Sequence, residues 1–173
     1  AEARIVIERA LSVQKADGSA MHQYYPATME ASIGDAAEGE DRPKYYGDDH
    51  LWAILASAAY LKETGDLAFL DKQIPHYGTP ASSDTVIGHL RRALEFTQTH
   101  VGAHGLPLLG YADWNDTVNL RQGAESMFVA HLYGRALLEM IALMDHLGKR
   151  DAAELYRTHY AAMQERVNTH GWD

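Results

Sequence analysis

The sequence predicts an all-α protein, and three observations carry that prediction. Apolar residues recur at three- and four-residue spacing in five separate segments. Glycines and short polar side chains that cap helices bracket most of those segments. No sustained apolar–polar alternation of the kind a half-buried strand needs stands out anywhere along the chain.

The first segment, residues 2–15 (EARIVIERALSVQK), places Ile5, Ile7, Ala10, Leu11 and Val13 loosely on one side, and Gly18 follows as a stop. Residues 19–47 then lose any sustained period and hold Gly34, Gly39, Pro43 and Gly47. A loop of that length in a compact domain is usually functional or a lid. The second helix begins near Asp48, with Asp48 or Asp49 available as its cap. Its stripe is Leu51, Ile54, Leu55, Ala58 and Leu61, and it ends at Gly65.

A short piece, DLAFLDKQI, comes next. Ser82, Ser83 and Asp84 offer caps for a third helix running to about His100, with Val86, Leu90, Ala93, Leu94 and Thr97 inward. Residues 102–122 form a second irregular segment. Two long amphipathic helices follow, ESMFVAHLYGRALLEMIALMDHLG and RDAAELYRTHYAAMQERVNT, joined at Gly148. Met127, Phe128, Leu132 and Leu137 read as a core stripe on the first of them.

Both irregular segments feed helix amino ends, one at Asp48 and the other at about Gly123 to Glu125. If those helices lie side by side, the sequences GDDH and DWND meet at one end of the layer. Helix amino ends carry partial positive charge, which suits carboxylates and anionic ligands.

Composition narrows the function. The chain has 173 residues, long enough for one domain with a real core, and its 46% hydrophobic and 23% charged content is ordinary for a globular protein. A net charge of −9 argues against nucleic acid or an anionic membrane as partner. The absence of cysteine excludes disulfides, thiolate metal sites and a cysteine nucleophile, and it fits a reducing compartment. The start AEARIVIERALSV carries charges through its apolar residues, unlike a signal peptide, and LWAILASAAYL is too short to cross a bilayer. The expectation is a soluble, cytoplasmic chain.

Two motifs carry chemistry. In YYGDDHLW, Asp48 either caps a helix or grips vicinal sugar hydroxyls, since an ionised carboxylate accepts two hydrogen bonds at once. In GYADWNDTVNL a solvated turn accounts for Asp113, Asn115 and Asp116 but not for Trp114. An indole beside an acid offers an apolar face to a sugar ring; it also desolvates the carboxyl and raises its pKa. A calcium loop is the third reading, but the motif lacks the spaced acidic ladder and final Glu of an EF-hand. The ten histidines are scattered without a ligand pair such as HExxH, so no metal site is expected. Arg91 and Arg92 read as a solvated helix face. No GxGxxG, Walker or GxSxG motif is present.

HQYYP, YYGDDHLWAILASAAYLKETGD, HGLPLLGYADWNDTVNL and GAESMFVAHL occur in one frame. Together they resemble the inverting disaccharide phosphorylases of glycoside hydrolase family 94. That family includes the cellobiose, chitobiose, laminaribiose and cellobionic acid phosphorylases and the phosphorylase-like part of cyclic β-glucan synthases. The similarity runs from Asp17 to about Leu143. The resemblance implies an (α/α)6 barrel, of which this chain would supply roughly the first half. The β-rich amino-terminal domain and the second half-barrel would lie elsewhere.

The resemblance also assigns roles. Asp116 would be the general acid, Trp114 would line the glycosyl subsite, and Asp48 would hold hydroxyls of the same sugar. Arg42 would contribute to the sugar or phosphate site, and Asp113 falls within the substrate-binding group. The partners implied are a β-linked disaccharide or oligosaccharide and inorganic phosphate as co-substrate, with no other cofactor, and a homodimer in the full-length protein. The expected reaction is inverting phosphorolysis to an α-sugar 1-phosphate, with the chain by itself an inactive fragment. Two alternatives stand beside it: a carbohydrate-binding half-barrel without activity, and an (α/α)6 glycoside hydrolase. A phosphate requirement separates phosphorylase from hydrolase.

Overall fold

The computed structural model describes residues 2–34, 42–118 and 120–172. The middle of the first irregular segment, Gly39 included, lies outside the described residues, as does Asn119 of the DWNDTVN stretch.

Five α-helices form the body: α1 (Glu2–Ser12), α2 (Asp49–Thr64), α3 (Val86–Thr99), α4 (Met127–His146) and α5 (Arg150–His170). A short 3-10 helix, Leu67–Asp71, follows α2 and buries Phe69 and Leu70. α4 is the central element, packing against α2, α3 and α5. Leu51 and Ile54 of α2, Leu90 and Leu94 of α3, and Tyr133, Leu137 and Met140 of α4 are at most 2% exposed. Ile5, expected inward on α1, is exposed. Leu51, Ile54, Leu90, Leu94 and Leu137 belong to the stripes that the periodicity predicts, and Tyr133 and Met140 extend the one on α4. Burying each such side chain contributes roughly 1.5–3 kcal/mol, which far exceeds the helix propensity of any one residue. α4 is also long and apolar enough to cross a membrane, but half of that stretch is buried against its neighbours. Burial of that kind is what a core helix shows.

The expectation of an all-α fold, and with it half of an (α/α)6 barrel, is corrected. The fold is mixed, because two two-stranded antiparallel sheets accompany the helices. β1 (Gln23–Tyr24) pairs with β2 (Ala31–Ser32), and β3 (Gln73–His76) pairs with β4 (Thr79–Thr85). Both hairpins hide from periodicity for physical reasons. β1 and β2 have two residues each, and a tight turn closes them through Tyr25 N–H to Glu30 O at 2.9 Å and Met29 N–H to Tyr25 O at 2.8 Å. β3 buries Ile74 and His76 alternately, but it contains Pro75, which cannot donate to a ladder and argues against a strand. β4 reads TPASSDT, a composition that loops share.

The hairpin also moves a cap. Ser82, Ser83 and Asp84 belong to β4, and Thr85 caps α3 by accepting from Gly88 N–H at 3.1 Å. At the start of α4 the cap is Ser126, whose hydroxyl accepts from Val129 N–H at 3.0 Å.

Candidate active site

The two irregular segments meet through main-chain hydrogen bonds. Tyr111 N–H donates to Tyr45 O at 2.8 Å and Gly47 N–H donates to Ala112 O at 2.9 Å, so residues 45–47 and 110–112 run side by side. The close approach requires Gly110. Its φ is +72°, and a Cβ there would sit 2.4 Å from the Tyr45 carbonyl oxygen. Past the turn, Leu109 N–H to Ala124 O (2.8 Å) and Ser126 N–H to Pro107 O (2.9 Å) return the chain to the amino end of α4. The starts of α2 and α4 are thereby joined, with DDHLW at the first and the DWND turn leading into the second.

Asp48 precedes α2 and is 3% exposed. It occupies the cap position, but its carboxylate does not cap. Instead Oδ2 accepts from the Trp52 indole N–H at 2.8 Å, one helical turn further on. Burial pushes the Asp48 carboxyl up from 3.8 to about 6; the neighbouring charges of Asp49 and Asp113 add to this, while the Trp52 hydrogen bond works against it. Asp49, the first residue of α2, faces His22 Nδ1 at 3.2 Å. Burial raises the Asp49 carboxyl as well, the His22 bond opposes it, and Asp116 contributes. The same bond to Asp49 raises His22, with Asp116 and Asp48 adding to it. His22 also stacks on Tyr46 with ring centroids 3.7 Å apart.

Asp113 is buried and committed within the protein. One oxygen accepts from Asn115 N–H at 3.1 Å, and the other accepts from the Ser126 hydroxyl at 2.5 Å. Asp113 therefore ties the turn to the cap of α4. Trp114 is 72% exposed, with its ring centroid 5.8 Å from that of Trp52, and Phe128 lies 6.5 Å beyond Trp52. The core stripe expected on α4 is corrected at this point: Phe128 is 39% exposed and belongs to an aromatic strip with the two indoles. Asp116 lies exposed on the turn. Beside Trp114 the buried carboxyl is Asp113, and the buried carboxyl whose pKa is raised to about 6 is Asp48, beside Trp52.

Arg42 donates to the Tyr111 carbonyl at 2.5 Å, and its guanidinium lies 4.3 Å over the Tyr111 ring. It thus brings a fixed cation to the base of the DWND turn. Trp52, His22 and Phe128 are the members that sequence reasoning missed. The spacing of four between Asp48 and Trp52 was the available signal. No group of three potential metal ligands occurs among the described residues.

Exposed aromatic faces beside buried and exposed carboxylates suit a polyhydroxylated ligand: rings stack on C–H faces and carboxylates accept from hydroxyls. That chemistry is of the carbohydrate-active class. The catalytic-domain model of the glycosyl hydrolase 94 superfamily matches residues 1–173, and the chain belongs to that family.

Among curated proteins, the N,N'-diacetylchitobiose phosphorylase of Vibrio proteolyticus is 33% identical over 171 residues, covering 90% of this chain and 21% of that protein. The solabiose phosphorylase of Paenibacillus borealis is 35% identical over 136 residues, covering 76% of this chain and 17% of that protein. The cyclic beta-(1,2)-glucan synthase of Rhizobium meliloti is 25% identical over 190 residues, covering 99% of this chain and 6% of that protein. The chain thus spans at most 21% of the length of these relatives.

Proposed function

We propose that this chain carries the acid-side part of an inverting glycoside phosphorylase site acting on a β-linked gluco-disaccharide or oligosaccharide. One observation supports the reading above others: the exposed Trp114 lies against Trp52, which bonds the buried Asp48, and the exposed Asp116 acts on the neighbouring Asp49, in a chain similar to several disaccharide phosphorylases.

In this reading the sugar ring lies on the indole of Trp114 and its hydroxyls donate to Asp48. Asp116 gives its proton to the glycosidic oxygen as the C1–O bond breaks. An oxygen of inorganic phosphate attacks C1 from the opposite face, so the β-glycoside becomes an α-sugar 1-phosphate and the shortened acceptor leaves with the Asp116 proton. One carboxyl suffices, because phosphate arrives already anionic and needs no base to activate it. Arg42 supplies positive charge near the sugar, and Asp113 acts by holding the turn in place.

Release of sugar 1-phosphate from a panel of β-linked glucose disaccharides tests the reading. The assay is run on the chain alone and on the full product of its reading frame. The full product turns over; Asp116→Asn lowers its rate by roughly 10² to 10⁴-fold, the usual contribution of a general acid, and leaves sugar binding in place. Asp113→Asn acts through stability and costs less. If Asp113→Asn is the dead variant and Asp116→Asn is active, the roles are reversed. Turnover without phosphate makes the protein a hydrolase.

The chain alone is expected to bind sugar weakly and to release no sugar 1-phosphate. A body of net charge −9 repels a phosphate dianion unless further cationic groups are focused at the site.

A further inference from the structure

We propose that Trp52 is a positioning residue of the sugar site, fixing the Asp48 carboxylate with its indole N–H and backing Trp114 with its ring. The proposal rests on the reading that Asp48 and Trp114 contact the sugar.

Trp52 joins three things that the chain order keeps apart. Its N–H reaches Asp48 Oδ2 at 2.8 Å. Its ring lies between those of Trp114 and Phe128, with centroids at 5.8 and 6.5 Å. Its remaining surface lines a cleft between α1 and α2 with Val6, Met21 and Ala53. At 39% exposure the indole has water within reach, yet its single donor is directed to a carboxylate that is 3% exposed. A carboxylate held at one oxygen loses rotational freedom in advance, so binding a hydroxyl costs less ordering. The tilted contact of the two rings, 54° between planes, has the same effect on Trp114, whose 72% exposure leaves few other neighbours to hold its ring. Residues 48 and 52 sit one turn apart at the start of one helix, so a change at position 52 is passed directly to Asp48.

The test has two arms, both on the purified chain. The first replaces Trp114 and Trp172 with Phe, leaving Trp52 as the one indole of the three in the sequence. Emission is then followed against pH. The charges near Asp48 are Asp49 and Asp113, with His22 and Asp116 acting on Asp49. Emission should titrate with a midpoint near 6, and Asp48→Asn should abolish that transition. A flat profile overturns the contact.

The second arm measures cellobiose and N,N'-diacetylchitobiose binding by calorimetry, with circular dichroism as the check on folding. Trp52→Phe keeps a ring and loses the donor; Trp52→Gln keeps a donor and loses the ring. Each should weaken binding, the Phe variant by about tenfold, on the order of one hydrogen bond to a charged group. A folded Trp52→Phe variant that binds like the wild type overturns the proposal while leaving the sugar site intact. A wild-type chain that binds neither sugar overturns the sugar reading and this role with it; the emission profile then decides the Trp52–Asp48 contact separately.

Discussion

Replacing Asp48 with Asn removes a carboxyl that folding takes out of water. The side chain is 3% exposed, and burial, reinforced by Asp49 and Asp113, raises its pKa from 3.8 to about 6. At 1.36 kcal/mol per pH unit, that rise corresponds to roughly 3 kcal/mol. The sign follows from proton linkage. The folded-state value lies above the unfolded one, so this group's contribution to stability is fully present below 3.8 and is lost as pH rises through about 6. Asn keeps an oxygen acceptor for the Trp52 N–H and carries no charge. Asp48→Asn should therefore be more stable than the wild type by up to about 3 kcal/mol well above pH 6, and the gain should shrink to nothing near pH 4. Urea unfolding followed by circular dichroism at several pH values measures it. An Asn variant that is no more stable at alkaline pH, or equally more stable at every pH, would refute charge burial as the cause. In the proposed sugar site the costly carboxylate would serve to bind hydroxyls, the usual conflict between function and stability.

Three further outcomes are expected. His50 is 2% exposed, with Nε2 2.6 Å from Thr97 Oγ1, and burial lowers its pKa from 6.5 to about 3. Its contribution is present above 6.5 and lost as pH falls toward 3, a loss of up to about 5 kcal/mol; acid titration of His50→Gln should show a shallower decline than the wild type. Ser126→Ala removes both the α4 cap and the donor to Asp113, and should cost roughly 2–4 kcal/mol in urea unfolding. Gly110→Ala forces a Cβ to within 2.4 Å of the Tyr45 carbonyl oxygen. It should cost about 2 kcal/mol or more and remove the near-ultraviolet circular dichroism of the Trp52–Trp114 pair.

Much of the helical body was legible in the chain. The stripe from Leu51 to Leu61, the stop at Gly65 and the joint at Gly148 follow from a 3.6-residue period and from glycine's backbone freedom, which are local properties. The family, too, was legible in four ordered motifs, and the odd placement of Trp114 among acids and amides pointed to the turn that carries the candidate acid. What depends on distant neighbours was not legible. Whether TPASSDT is a loop or a strand is decided by the pairing of Ile74 with Asp84 and Pro75 with Ser83, not by its own residues. Whether Phe128 faces the core or joins the indoles depends on where α2 and the DWND turn come to rest.

The sequence by itself determined which segments become helices and which family the chain belongs to, because periodicity and motif order are written along the chain. Only the tertiary structure decided which carboxyls lose most of their water. Asp48 and Asp113 are buried where the starts of α2 and α4 are joined, while Asp116 lies exposed on the same turn as Trp114. Desolvation is a sum over every group that closes around an atom. Here those groups come from stretches some sixty residues apart that meet only because Gly110 lets two backbones touch.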